Sequence, residues 1–415
     1  MHSKAQGALQ NFQKKSVNLR FLIVIVFLVL FAGNAFAQTC VDMPALLGYI
    51  GDWKTGTMQM TTLLTHIGEW KTGANCGDCP DPCFLVINSS SVGMYDKIPE
   101  FYMKEVKKMW FNLPGESHSR GYRNGLKYLY QQDPKFPAFI TESGGPAPYR
   151  EDALRISGYV RNDTGGWSGS TGEAAWFANP AKNHLIKNHI AYSSANNLEI
   201  AAIGFGWCWD MTSTSGTPAG LDPVFNVHWY GSSVEGPEGN LPWGLDAEDY
   251  ALTGNSVNMD TYLNATQGYM DYARQNNLGT KVLFTTGPVD GYTGEPGYQR
   301  HLKHEYIRDF VSRDSSRILF DYADILTHND SGEEYTKTWN TIYVYPQIHP
   351  DNLVNLGFSQ TDDGDHIGEV GALRLGKATW VLMARLAGWD GTPACLSSSD
   401  CSNGATCTEG ICVSP

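Results

Sequence analysis

The sequence predicts a three-layer α/β/α sandwich, in which a mainly parallel sheet lies between two layers of helices. Three observations support this fold class. Strand and helix signals alternate through residues 100–390, the loops between them are long and rich in Gly, Pro and Trp, and the cysteines are concentrated near the two ends. Alternating strands and helices are typical of parallel sheets covered on both faces. We therefore expect one large core, preceded by a small module and followed by a disulfide-rich tail.

Length and net charge limit the classes of function that are compatible with the sequence. The 415 residues, 42% of them hydrophobic, are enough for one large core. The formal net charge is −13, and residues 1–37 hold four basic residues and no acidic ones, so the remaining chain carries −17. Such an acidic chain lacks the basic surface that binds nucleic acids and anionic membranes. We therefore expect no nucleic acid among its partners.

Residues 1–37 have the pattern of a signal peptide. Basic residues precede the apolar run Phe21–Phe31, and Ala35-Phe-Ala37 fits a small-residue cleavage site. The apolar run is short for a membrane span, which makes an uncleaved anchor helix the weaker alternative. We expect a secreted or extracytoplasmic protein with no stable membrane insertion after cleavage.

Residues 38–95 predict a small helical module. A short motif occurs twice, as Ile50-Gly-Asp-Trp-Lys-Thr-Gly56 and as Ile67-Gly-Glu-Trp-Lys-Thr-Gly73, and apolar residues at helical spacing precede each copy. This repeat predicts a helical hairpin. Four cysteines in this module predict two disulfides, with metal binding as the alternative; they are Cys40, Cys76, Cys79 and Cys83.

Residues 392–415 form a polar tail that is too small for a core of its own. Four cysteines in it predict two further disulfides, namely Cys395, Cys401, Cys407 and Cys412. The ninth cysteine, Cys208, is left over in this scheme. The main domain is then residues 96–391.

Periodicity and turn residues predict the elements of the main domain. The predicted strands are Val106–Leu113, Ile156–Val160, Leu198–Phe205, Lys281–Thr286 and Arg317–Tyr322. The predicted helices are Gly121–Gln131, Ala181–Asn196, Met259–Asn276, Gln299–Ser312 and Gly368–Leu386. Loops 210–256 and 323–362 are long, and loops of that length in a compact domain usually build a site.

Candidate catalytic residues follow the first predicted strand and precede the last predicted helix. Ser117 lies at a strand-to-helix turn, where helix amides stabilise negative charge. A plain helix N-cap is the alternative for this serine. Asp363 and His366, in Asp-x-x-His, have the spacing for a carboxylate that orients an imidazole, and an acidic helix start is the alternative. Since ligands bind beyond the carboxyl ends of parallel strands, the three residues together predict nucleophilic catalysis.

These motifs resemble the SGNH, or GDSL-type, hydrolase family, whose first block reads Gly-Asp-Ser and whose last block reads Asp-x-x-His. Here the first block is Gly115-Glu-Ser117. The resemblance spans about residues 105–388 and implies a flavodoxin-like sheet and a triad of Ser117, Asp363 and His366. It also implies oxyanion donors in two middle blocks, of which Gly169 in Trp167-Ser-Gly-Ser-Thr171 matches the second.

The third block departs from the family pattern Gly-x-Asn-Asp. The chain has Gly204-Phe-Gly-Trp-Cys-Trp-Asp210, which places Cys208 where the family has asparagine, with Asp210 close by. A thiol is a poor substitute for a carboxamide donor. The backbone around Cys208 and Asp210, or Asn255 from a loop, are the open alternatives for this oxyanion donor.

Other polar residues have weaker patterns. His118 is expected to contact the substrate or to support the site, and His349 is a rival base that lacks serine-hydrolase spacing. Arg120 and Arg123 are expected on the solvated face of a helix, with contact to a substrate carboxylate as the alternative. His189, on a predicted helix, is expected at the surface.

The resemblance implies a serine esterase that removes acyl groups from sugars, lipids or small esters and needs no metal or organic cofactor. Export, acidity and the Trp-rich loops favour a carbohydrate ester, and we expect the acetyl ester of a polysaccharide. Two alternatives stay open. One is a glycoside hydrolase that uses carboxylates such as Glu116 and Asp210. The other is a carbohydrate-binding or attachment protein on a non-catalytic SGNH-like fold.

Overall fold

The computed structural model divides the chain into residues 1–83 and residues 84–415. It describes residues 59, 84–115, 117–141, 148–162, 176–177, 182–207, 243–244, 257–358, 366–392, 395, 397–401 and 405–413. The predicted signal peptide, the helical hairpin and the early cysteines lie outside these residues and stay predictions.

Seven strands of the described residues form the central sheet. In chain order, the described strands are β1 (Leu85–Ile87), β2 (Trp110–Asn112), β3 (Ala138–Thr141), β4 (Leu154–Ser157), β5 (Ala202–Ile203), β6 (Trp243–Gly244), β7 (Val257–Asn258), β8 (Lys281–Thr285), β9 (Ile318–Phe320), β10 (Thr336–Trp339), β11 (Tyr343–Pro346), β12 (Thr406–Thr408) and β13 (Ile411–Val413). The sheet runs β1-β9-β8-β5-β2-β4-β3, and every neighbouring pair in it is parallel. Its inner strands, β4-β2-β5-β8-β9, have the flavodoxin-like order 2-1-3-4-5.

Helices cover both faces of this sheet. The described α-helices are α1 (Ser89–Val92), α2 (Glu100–Lys108), α3 (Ser119–Gln132), α4 (Asn183–Ala195), α5 (Met259–Gln275), α6 (Glu295–Ser312), α7 (Tyr322–Thr327) and α8 (Glu369–Leu386). Side chains of α2, α3, α7 and α8 share one apolar cluster, and those of α4, α5 and α6 share a second. Neighbouring residues of β2 divide between them, because Trp110 belongs to the second cluster and Phe111 to the first. The predicted three-layer sandwich is confirmed.

None of the described helices combines the length and the apolar character that crossing a membrane requires.

In the first apolar cluster, helices α3 and α8 cross at a very short distance. A Cβ atom on Gly125 of α3 would lie 1.8 Å from the carbonyl oxygen of Ala372 in α8, and one on Gly376 of α8 would lie 2.4 Å from the carbonyl carbon of Gly125. The two backbones are therefore in direct contact, which only glycine permits at these positions. One turn earlier, a Cβ on Gly121 would lie 3.0 Å from the side chain of Ile367. The beginnings of both helices are thus held at the same end of the layer.

The tail forms a small hairpin of β12 and β13 with two disulfides. Cys395 is bonded to Cys407 and Cys401 to Cys412, which confirms the two disulfides predicted for this segment. Glu409 connects the hairpin to α2, since its carbonyl accepts the Phe101 N–H at 3.1 Å and its carboxylate pairs with Lys104.

The elements at the start of the domain differ from the prediction. The predicted strand Val106–Leu113 is in fact the end of α2 followed by β2, because the apolar Val106 and Met103 lie one turn apart on the buried side of a helix. Strand β1, which lies upstream of residue 96, pairs with β9 at the edge of the sheet. Ser117 therefore follows the second of the described strands, although this strand is first in the flavodoxin-like order.

His189 is buried rather than at the surface. It is fully enclosed, its Nδ1 accepts the Arg161 N–H at 3.4 Å, and its ring meets that of Trp110 edge-on. Ile186 and Ile190 flank it on the buried stripe of α4, so helical spacing was the signal for its burial. Burial, assisted by the charge of Arg161, lowers the pKa of His189 to about 4.

The helix crossing predicts opposite effects for two glycine substitutions. Gly125→Ala is expected to lower the free energy of unfolding by about 1–3 kcal/mol or more, since overpacking must separate α3 from α8. Gly268→Ala in α5 is the matched control, because a Cβ there meets nothing within 4 Å, and it is expected to add about 0.5–1 kcal/mol. Urea unfolding measures both. Equal stabilities of the two variants would contradict the close crossing.

The buried His189 predicts a loss of stability in acid. The unfolded chain takes up this proton near pH 6.5 and the folded chain near pH 4, so the free energy of unfolding falls as the pH decreases through this window. The resulting loss in the free energy of unfolding reaches about 3 kcal/mol at low pH, and it vanishes above pH 6.5. His189→Gln is expected to flatten the dependence by that amount, whereas His184→Gln, at an exposed position of the same helix, should leave it unchanged. Unfolding curves between pH 4 and pH 7.5 provide the comparison, and equal slopes would count against the buried imidazole.

Candidate active site

The chain segments that follow β2 and β5 contact each other at the point where the strand order of the sheet reverses. This point lies between β2 and β5, where doubly wound sheets bind their ligands. Gly115, after β2, bridges to Gly206, after β5, and the Gly206 N–H donates to the Pro114 carbonyl at 2.9 Å. A Cβ on Gly115, whose φ is 142°, would lie 2.1 Å from the Gly206 carbonyl oxygen. The turn after β2 is therefore pressed against the exit of β5.

Ser117 begins the helical turn that leads into α3. Its carbonyl accepts the Arg120 N–H at 3.0 Å, and the carbonyl of His118 accepts the Gly121 N–H at 3.1 Å. The serine is 5% exposed. It thus has the strand-to-helix position expected from the sequence, at the N-terminal end of α3, where the helix dipole favours negative charge.

The side chain of Arg123 donates hydrogen bonds to the backbone on both sides of this turn. The side chain is 2% exposed, and its Nη1 donates to the carbonyls of Leu113 and Ser119 at 3.3 and 3.2 Å. A Cβ on Gly158 would lie 2.8 Å from Nη1, so the guanidinium fills the space beside β4. The expectation of a solvated helix charge, or of a substrate contact, is wrong for Arg123. It is a buried donor for the backbone carbonyls that the turn exposes.

His118 forms a buried pair with Asp290. Its Nε2 lies 2.9 Å from Asp290 Oδ1, and the two residues are 1% and 5% exposed. Asp290 follows β8, so this contact joins the end of β8 to the turn after β2. The burial favours a supporting role for His118 over the substrate contact expected from its place beside Ser117.

Arg300 of α6 donates hydrogen bonds to the backbone of the loop that contains Asp290. Its Nη1 donates to the Asp290 carbonyl at 2.8 Å, and its Nη2 donates to the carbonyl of Val289 and to the side chain of Gln347. Burial lowers the pKa of Arg300 to about 10 and the charge of Asp290 opposes this, so the guanidinium is still protonated at neutral pH. It supplies a positive charge next to the buried carboxylate.

His366 lies against His118 at the start of α8. The two ring centroids are 4.9 Å apart and the ring planes are inclined by 45°. Its backbone has a φ of 61°, in the left-handed region that residues other than glycine rarely adopt. The structure thus places His366 in contact with His118, the residue that follows Ser117.

Glu369, in the first turn of α8, binds backbone groups of residues 356–358. The carboxylate of Glu369 accepts the backbone N–H groups of Leu356, Gly357 and Phe358, and the latter two distances are 2.6 and 3.1 Å. Asn352 accepts the Gly368 N–H at 2.9 Å through its carbonyl. Residues 352 and 356–358 are thus hydrogen-bonded to the beginning of α8.

Several predicted site residues lie outside the described residues. They are Asp363, Gly169, Cys208 and Asp210, together with the alternatives Glu116 and Asn255. The last described residue before Cys208 is Trp207, whose ring is buried and whose Nε1 donates to the Thr285 carbonyl at 3.0 Å. This tryptophan is part of the core rather than of a cleft.

His349 has a structural contact of its own. Its Nδ1 accepts the Asp351 N–H at 3.1 Å, at the start of the short 3₁₀ helix Pro350–Leu353. It therefore acts as a helix cap.

A cavity of about 540 Å³, lined by both polar and apolar side chains, lies further along the carboxyl edge, beyond β8 and β9. Arg308 and Asp321 form a two-armed ion pair in its wall, with distances of 2.6 and 2.8 Å. His304 also lines it; burial and neighbouring cations lower the pKa of His304 well below its usual range, and its Nε2 accepts the Gly287 N–H at 3.2 Å. A neutral imidazole that accepts at Nε2 carries its proton on Nδ1. The wall therefore combines hydrogen-bond donors and acceptors.

Sequence reasoning missed Asp290 and Arg300. Asp290 stands five residues after β8, so the rule that singled out groups beyond the carboxyl ends of strands applies to it as well. Arg300 carries no such signal, because no sequence pattern indicates its bonds to the carbonyls of Val289 and Asp290 and to the side chain of Gln347.

No protein-family model matches this chain, and no curated protein matches it. The resemblance to SGNH hydrolases therefore rests on the sequence motifs alone.

The buried Arg123 predicts a specific loss of stability. Arg123→Met is expected to lower the free energy of unfolding by about 1–3 kcal/mol, because the carbonyls of Leu113 and Ser119 lose a buried donor. Lys127→Met, at an exposed position of the same helix, is the control and is expected to change it by less than about 0.5 kcal/mol. Chemical denaturation distinguishes the two. A solvated Arg123 would instead give the same small effect as Lys127.

Proposed function

We propose that this chain is a secreted serine esterase of the SGNH type that removes acyl groups, above all acetyl groups, from carbohydrate esters. The observation that carries the proposal is the contact of His366 with His118, the residue that follows Ser117, next to the switch point of a flavodoxin-like sheet. A serine hydroxyl alone is a weak nucleophile, and an adjacent imidazole is what activates it.

The proposed reaction has two halves. Ser117 Oγ attacks the acyl carbonyl while His366 takes the serine proton, and Asp363 orients the imidazole and stabilises its charged form. His366 then gives this proton to the alcohol oxygen of the carbohydrate, which leaves. A water molecule, deprotonated by His366, attacks the acyl-enzyme and releases the carboxylic acid, and the proton returns to Ser117 Oγ.

Negative charge develops on the carbonyl oxygen in both halves. In this proposal the amides of Ser117 and Gly169 donate to it, and the segment Cys208–Asp210 or Asn255 supplies a further donor. The position of Ser117 before α3 supports this assignment, since the first amides of a helix point towards negative charge. The contact between Gly115 and Gly206 brings the segment that leads to Cys208 beside the turn.

A carbohydrate ester is the proposed substrate class for two reasons. The acidic chain disfavours polyanionic substrates. The cavity beside Arg308 and Asp321 offers donors and acceptors in the mixture that hydroxyl groups require, since each hydroxyl both donates and accepts.

Ester hydrolysis by purified variants tests the proposal. The wild type, Ser117→Ala, His366→Gln and the matched control His349→Gln are assayed on acetylated polysaccharides, on methyl-esterified polysaccharides and on a chromogenic acetate. We expect release of acetate by the wild type, a fall in kcat/KM of about 10³-fold or more in Ser117→Ala and His366→Gln, and wild-type rates in His349→Gln.

Two results would contradict the proposal. One is a Ser117→Ala variant that hydrolyses esters as fast as the wild type. The other is cleavage of unesterified polysaccharide into shorter chains, which favours the glycoside hydrolase with Glu116 and Asp210 as its carboxylates.

A further inference from the structure

Besides the predicted pair of Asp363 and His366, a carboxylate–imidazole pair is formed beside the candidate site by Asp290 and His118. Asp290 and His118 are both almost fully buried, and Oδ1 of the one lies 2.9 Å from Nε2 of the other. The pair lies outside the Asp-x-x-His motif and comes from two other elements, the end of β8 and the turn before α3. Buried pairs of this kind often cost more in desolvation than they return in stability, so their presence beside a nucleophile favours a functional role.

The contact fixes the position of the proton on His118. An ionised carboxylate only accepts hydrogen bonds, so Nε2 of His118 carries a proton that it donates to Asp290. The guanidinium of Arg300 donates to the Asp290 carbonyl at 2.8 Å and interacts favourably with the charge of Asp290. The orientation of the His118 ring is therefore determined by Asp290.

The His118 ring in turn limits where the His366 ring can lie. The two centroids are 4.9 Å apart, and the ring of Tyr322 meets His118 edge-on from another side at 6.2 Å. His118 consequently has little freedom to move, and one side of the His366 imidazole rests on a rigid neighbour. The left-handed backbone at His366 needs such support from its surroundings.

We propose that Asp290 and His118 are positioning residues that hold the His366 imidazole in place for proton transfer with Ser117. This inference rests on the proposed function. It assigns the pair no contact with the reacting atoms, and its effect passes through His366. A displacement of a catalytic group by about 1 Å lowers the rate by up to about 10²-fold, which sets the size of the expected effect.

Kinetics of conservative variants test the positioning. Asp290→Asn and His118→Gln are expected to lower kcat about 10- to 100-fold and to leave KM within about 3-fold, because substrate binding is not altered. Since the two residues act as one unit, the double variant should lose no more than either single variant. His328→Gln, which alters the separate Asp324–His328 contact, is the matched control and should retain the wild-type kcat.

The kinetic outcomes decide between positioning and other roles. Folded variants with a kcat within about 2-fold of the wild type would overturn the proposal. A loss in His118→Gln as deep as that in Ser117→Ala, with none in His366→Gln, would also overturn it, because His118 would then be the base.

A spectroscopic measurement separates this inference from the proposed function. In the full chain labelled with ¹⁵N-histidine, the imidazole signals of His366, assigned with His366→Gln, are expected to move in Asp290→Asn and to stay in place in His328→Gln. Unchanged His366 signals in Asp290→Asn would overturn the positioning even if the wild type hydrolyses esters. A wild type that hydrolyses no ester, with His366 signals that move as expected, would instead refute the proposed function and leave the support of His366 by this pair intact.

Discussion

The close crossing of α3 and α8 is the contact on which the candidate site depends. Gly125 and Gly376 let the two backbones touch, and this contact brings the beginnings of both helices to the same end of the layer. Ser117 and His118 precede one of these helices, and His366 precedes the other. Residues that lie far apart in the sequence are therefore brought to the same end of the layer by the packing of these two helices.

Buried arginines support the irregular backbone along the carboxyl edge of the sheet. Loops that leave strands expose carbonyl groups, and buried carbonyls require donors. Arg123 supplies them to the turn after β2, Arg300 to the loop after β8, and Arg374, through its bond to the Ile325 carbonyl, to the end of α7. A planar guanidinium with five N–H groups suits this task, because it serves several acceptors at fixed angles. These contacts make the carboxyl edge a rigid frame for polar groups.

The sequence predicts the layers of the fold better than the surroundings of the site. The α3 and α8 helices were predictable because local periodicity and turn residues determine them. The strand predicted at Val106–Leu113 was wrong at its start because a short apolar run fits the end of a helix equally well. Positions such as Ser117 and His366 follow from strand-end and helix-start patterns. The pairing of His118 with Asp290 was not predictable, since it joins two distant loops through contacts that leave no spacing in the sequence.

The most direct test of the account is to locate the nucleophile chemically. The full chain is treated with an alkyl fluorophosphonate, which reacts with activated serines, and the modified peptide is identified by mass spectrometry. We expect one adduct on Ser117, lost in Ser117→Ala and formed much more slowly in His366→Gln. Modification of a different serine, or equal labelling of wild type and Ser117→Ala, would contradict it.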